Sequence, residues 1–75
     1  MAEERVRIEI AFDGGQIMGA NVELSSADAL ERALDEGRDG ALGLEAEDGR
    51  YTVSLRRVVY IKRFSREAPV GFTPS

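Results

Sequence analysis

Two Asp-Gly turns, each flanked by alternating aliphatic residues, set the strongest limit on what this chain can fold into. Residues 5–12 read Arg-Val-Arg-Ile-Glu-Ile-Ala-Phe, with Val6, Ile8, Ile10 and Phe12 on one face. A period of two built on β-branched residues marks a half-buried strand. Asp13-Gly14-Gly15 follows, then a second run from Gln16 to Leu24. A two-residue loop would set Ile8 opposite Gly19 and Val6 opposite Asn21, wasting the apolar face. A three-residue loop sets Ile10 opposite Met18, Ile8 opposite Ala20 and Val6 opposite Val22, and Gly15 supplies the left-handed residue such loops need.

The second turn reads as a two-residue type I′ loop at Asp48-Gly49, a pair suited to positive φ at both central positions. Pairing outward from it sets Glu47 against Arg50 as a cross-strand ion pair, Leu44 against Val53 and Leu42 against Leu55. Between the hairpins, Ser25-Ser26-Ala27-Asp28 opens a short helix, with a serine cap and an acid in the first turn. Leu30, Ala33 and Leu34 form its apolar stripe, while Glu31, Arg32, Asp35 and Glu36 face water. Gly37 is placed to end it. Leu30 and Leu34 are expected to be buried against the sheet, facing residues such as Ile8, Ile10, Leu44 and Val53.

A fifth strand runs from Val58 to Phe64. Alternation splits Val59, Ile61 and Arg63 from Val58, Tyr60, Lys62 and Phe64, so both faces are partly apolar, as in a strand between neighbours or at a subunit contact. Residues 1–66 read as one small domain. Residues 67–75, with two prolines and no period, read as an extended or flexible tail.

The net charge of −4 hides a division. Residues 1–49 carry four arginines against thirteen acids, whereas 50–75 carry six cations against Glu67 alone. The basic third also holds Tyr51, Tyr60, Phe64 and Phe72, so any anionic partner is expected there. The absence of cysteine removes disulfides, thiolate metal sites and a Cys nucleophile. Histidine is absent too, and with it the usual zinc ligand and the commonest general base. Gly14-Gly15 with Gly19 lacks the Gly-Lys-Ser/Thr of a phosphate loop. The acids Glu45, Glu47 and Asp48 do not spell a calcium loop. The expectation is therefore no enzyme, no cofactor and no metal. Met1 to Val6 lack the apolar run of a signal peptide, and no apolar stretch approaches the ~20 residues that span a bilayer. A cytoplasmic, membrane-free protein is the expectation.

The segment with functional character is the basic aromatic stretch. Its candidate partner-binding residues are Arg56, Arg57, Tyr60, Ile61, Lys62, Arg63, Phe64 and Arg66. Arginine for phosphates and an aromatic for stacking is how small β-barrels hold single-stranded RNA or DNA. The competing reading is that these cations neutralise the acidic body, in the same chain or a neighbouring copy, and that Tyr60 and Phe64 are core. In a contact between copies, Glu45 and Glu47 are expected to receive Arg56, Arg57 or Arg63 of the neighbour. The overall acidity weighs against nucleic acid.

Val53-Ser54-Leu55-Arg56-Arg57-Val58-Val59-Tyr60-Ile61 resembles the end of Sm-like and related small β-barrel domains, where a strand bends through a short turn into a final strand that closes the barrel or pairs with another subunit. The layout is also similar to short bacterial domains of unknown function ordered β-β-α-β-β-β. Sm-like proteins carry their helix before the first strand, whereas here it falls between strands two and three, so none of that family's RNA-binding residues carries over. The resemblance implies a small curved sheet able to add strands across subunits.

The expected fold is α+β: a strongly bent antiparallel sheet or partial small barrel, ordered β-β-α-β-β-β, with one helix packed on the sheet. The expected function is a small protein-interaction module, homo-oligomeric or bound to another protein. The alternative is nucleic-acid binding through the C-terminal strand.

Overall fold

The computed structural model describes residues 4–64; the expected tail at 67–75 and Arg66 lie outside them. The strands are β1 (Arg5–Phe12), β2 (Ile17–Glu23), β3 (Ala41–Ala46), β4 (Gly49–Ser54) and β5 (Val58–Arg63), with helix α1 (Leu24–Asp35) between β2 and β3. All pairings are antiparallel, in the spatial order β4-β3-β2-β1-β5. The fold is thus α+β, with one helix packed on a five-stranded sheet.

The sheet does not close into a barrel, because β4 and β5 are edges that do not pair with each other. It is nevertheless forced to curl. In a flat five-stranded sheet the outer strands lie about 19 Å apart. Here a single 3-10 turn, Leu55–Arg57, carries the chain from one edge to the other. Four Cα–Cα steps span at most about 15 Å fully extended and less in a 3-10 turn, so the two edges converge at that end. The two hairpins meet along a short ladder, in which β2 and β3 share only the pair Val22↔Ala46.

The first hairpin has the register its sequence implies, with Ile10↔Met18, Ile8↔Ala20 and Val6↔Val22. Its three-residue loop is closed by the Phe12 N–H donating to the Gln16 carbonyl at 2.8 Å, with Gly14 and Gly15 both at positive φ. The second hairpin departs from the type I′ expectation. Its loop is Glu47-Asp48, and the pairs are Ala46↔Gly49, Glu45↔Arg50, Leu44↔Tyr51 and Leu42↔Val53. Asp48 keeps a negative φ, which a type I′ turn forbids, and Gly49 alone is positive at 141°. Two contacts favour this loop. The Glu47 N–H donates to the Asn21 carbonyl at 2.8 Å, and the Asn21 amide donates to the Glu47 carboxylate at 3.0 Å, tying the turn to β2. Arg50 consequently pairs with Glu45 at 2.6 Å instead of with Glu47. Leu55 starts the 3-10 turn, still donates its N–H to the Gly40 carbonyl at 2.8 Å, and is buried.

The helix begins at Leu24, with Glu23 as N-cap and no side-chain cap bond, so the serine cap is not used. Ser26 lies inside the helix, buried, and its hydroxyl accepts the Glu45 N–H at 3.0 Å. That bond serves β3 where its pairing with β2 has stopped. The C-terminus is a Schellman motif: the Arg38 N–H donates to Ala33 and the Gly37 N–H to Leu34, with Gly37 at φ 68°. Ala27, Leu30 and Ala33 are fully buried against the sheet, in one core with Ile8, Ile10, Leu44 and Val53. Leu34 is only half-buried, because the small residues Ala27 and Ala33 hold the contact line and set Leu34 at its flank.

Candidate functional site

The candidate residues do not share one surface: Tyr60 and Lys62 lie on the face of β5 away from the helix, Ile61 packs on the core side, Arg63 reaches the helix, and Arg56 and Arg57 lie on the 3-10 turn. Among the described residues β5 is an edge strand, with β1 on one side and no strand on the other, rather than a strand between neighbours. Its two partly apolar faces have a different origin. The register with β1 runs Ile8↔Arg63, Glu9↔Lys62, Ile10↔Ile61 and Ala11↔Tyr60, then shifts to Phe12↔Val58. Val59 is the extra residue of a β-bulge, which restarts the alternation. Val58 and Ile61 therefore both pack on the core side, while Val59 and Tyr60 turn to solvent.

The bulge leaves an apolar strip on the face away from the helix. Ile17, Ala11 and Tyr60 lie in one row across β2, β1 and β5. Ile17 and Val59 are 61% and 64% exposed, and Tyr60 is 43% exposed, so Tyr60 is not a core residue. Among the described residues, main-chain groups next to this strip have no strand partner. The Phe64 N–H donates to the Arg7 carbonyl at 2.9 Å. Such bonds alternate along an antiparallel pair, so Lys62 and Tyr60 also turn their main chain toward β1, while Ile61 and Arg63 point theirs outward.

The cations of the strand are largely spoken for within the chain. The Arg63 guanidinium donates to Asp28 at 2.9 Å and to Glu31 at 3.1 Å, bridging β5 to the exposed side of the helix. The hydrogen bond to Asp28 leads in holding its pKa above the already high arginine value, against partial burial. Arg57 donates to Asp13 at 3.1 Å, fastening the 3-10 turn to the first hairpin loop. The Lys62 ammonium sits 4.6 Å from the centre of the half-buried Phe64 ring, a cation–π contact. Within the chain, Glu45 is paired with Arg50 and Glu47 accepts the Asn21 amide, whereas neither receives Arg56, Arg57 or Arg63. Arg56 is exposed and has no ion pair among the described residues. Sequence reasoning had no signal for the exposed Ile17, which joins the strip only through cross-strand register.

Both tyrosines donate to carboxylates, Tyr60 to Glu9 at 3.1 Å and Tyr51 to Asp48 at 2.8 Å. In each case the hydrogen bond, ahead of burial and charge, raises the phenol above its ordinary pKa. The folded-state values exceed the unfolded ones, so any stability these bonds supply is complete below the unfolded pKa and is lost as pH rises through the folded pKa. An absorbance titration of phenolate is expected to place both midpoints above about 10, the usual tyrosine value. Glu9→Ala is expected to return Tyr60 alone toward it. Two unshifted midpoints would show that neither bond persists in solution.

No helix among the described residues is long and apolar enough to cross a membrane, and no cluster of three acidic side chains there is placed to hold a metal. No protein-family model, curated protein or solved structure matches this chain.

Proposed function

We propose that this protein is an interaction module that associates with a second copy of itself through β5. The observation carrying this reading is the coincidence, on one edge, of outward main-chain groups at Ile61 and Arg63 with exposed apolar side chains at Val59 and Tyr60. Unpaired edge groups are a template for another strand, and their side chains decide which strand fits. A two-fold axis at Ile61 sets β5 antiparallel to its copy and keeps the outward groups of both strands in phase. Tyr60 of one copy then lies beside Lys62 of the other, and Val59 beside Arg63. An axis at Lys62 would instead oppose lysine to lysine, which is destabilising.

Single-stranded nucleic acid is the weaker alternative. Arg57 and Arg63 already hold carboxylates, so a phosphate would have to displace them, which leaves Arg56 and Lys62 as the cations of this segment without a carboxylate partner among the described residues. Hydrogen exchange separates the readings by residue. The Ile61 and Arg63 amides are expected to gain protection as concentration rises from about 10 µM to about 1 mM, while Lys62 and Tyr60 stay protected throughout. Protection at Ile61 and Arg63 that is unchanged by concentration, but induced by an oligonucleotide in a salt-sensitive way, would favour the alternative.

A further inference from the structure

We infer that the open mouth of the curled sheet binds a small amphipathic carboxylate: a ring system or short acyl chain carrying one negative charge. Its floor is Phe12, Met18, Tyr51 and Val53, around a cavity of about 280 Å³. No residue of α1 lines it, so it lies on the part of the inner sheet face that the helix leaves uncovered. An enclosed cavity of roughly 150 Å³ holds benzene; this hollow is larger but open to solvent on one side, so a bicyclic ring or a chain of similar bulk would lie against its floor.

The charge class follows from the adjoining recess. Ser54 and Arg57 border both the apolar cavity and a polar hollow of about 300 Å³, which Asp13 and Arg56 complete. Arg57 is held by Asp13, whereas Arg56, beside it, has no carboxylate partner among the described residues. Two guanidinium groups and one carboxylate leave one net positive charge at the end of an apolar slot. That balance complements a monoanion; a polyphosphate or nucleic-acid backbone would need more free cations. A carboxylate reaching Arg56 from a ring on Met18 and Tyr51 receives a charge-assisted hydrogen bond without breaking the Arg57–Asp13 pair. The site is separate from the outer edge of β5, so it stands or falls independently of self-association.

The test is an NMR titration of the full chain with 2-naphthoate, matched against the neutral 2-naphthalenemethanol at constant ionic strength. Saturable shifts are expected at Phe12, Met18, Tyr51, Val53 and Arg56, with naphthoate bound at least about tenfold more tightly than the alcohol. Arg56→Ala, at an exposed residue without an ion pair, is expected to keep the wild-type Tm and bring naphthoate down to the affinity of the alcohol. Arg56→Lys is expected to restore part of the difference. Shifts that map elsewhere, no saturation below ~10 mM, equal affinity for acid and alcohol, or an Arg56→Ala variant that binds naphthoate like wild type would each overturn the proposal.

Discussion

Replacing Leu30 with alanine is expected to cost about 2–5 kcal/mol, a large share of the roughly 4–11 kcal/mol that a chain of this length has in total. Leu30 is fully buried and is the one large apolar side chain that the helix sends completely into the core. Its neighbours Ala27 and Ala33 are too small to refill the space. The loss combines lost transfer energy with a cavity bounded by residues such as Ile8, Ile10 and Leu44, which are themselves fully buried and held in the sheet. In thermal unfolding the midpoint is expected to fall by more than about 10 °C. Leu34→Ala, at a half-buried position, is expected to cost only about 1 kcal/mol. Equal losses at the two leucines would show that the helix is docked on a different face.

The second large effect concerns the edge. Substituting both Val59 and Tyr60 with lysine is expected to weaken self-association by about a hundredfold or more, while moving the thermal midpoint by only a few degrees. Both residues are exposed: Val59 sits in a bulge with no cross-strand partner, and Tyr60 gives up one exposed hydrogen bond to Glu9 and its contact over Ala11, a small loss to the fold. In the proposed dimer the lysine introduced at position 60 faces Lys62 of the other copy, setting like charges opposite each other, the one at position 59 removes an exposed apolar contact, and edge lysines are a natural block to strand addition. Sedimentation velocity reads the outcome. An unchanged assembly in the double variant would place the contact elsewhere. Arg63→Glu is a poor probe of the same question, because it would set a third acid beside Asp28 and Glu31 and loosen the helix from β5.

The register of the first hairpin was legible because only a three-residue loop matches apolar to apolar, and the end of the helix because Gly37 is suited to the left-handed position of a Schellman motif. The second hairpin defeated the same logic for a definite reason. Moving its two-residue loop back by one position changes every partner yet leaves every side chain on its own face, so alternation cannot distinguish the two registers. Bonds from Glu47 to Asn21, 26 residues away, favour the one adopted. The helix start was misread because Ser26 has a tertiary task, accepting the Glu45 N–H where β2 has ended. At the candidate site, the basic and aromatic character of the last strand was plain. The bulge at Val59 was not, since an inserted residue looks like a change of face. Nor was the neutralisation of Arg63, whose partners Asp28 and Glu31 are brought to it only by the docking of the helix.

The claim that β5 joins two copies is tested most directly by the molar mass of the wild-type chain in solution, measured by light scattering at high micromolar concentration and moderate salt. The chain has a mass of 8.2 kDa. The expected result is about twice that value, falling toward the single-chain mass on dilution. A mass that stays at 8.2 kDa up to the highest concentration reached would contradict the proposal.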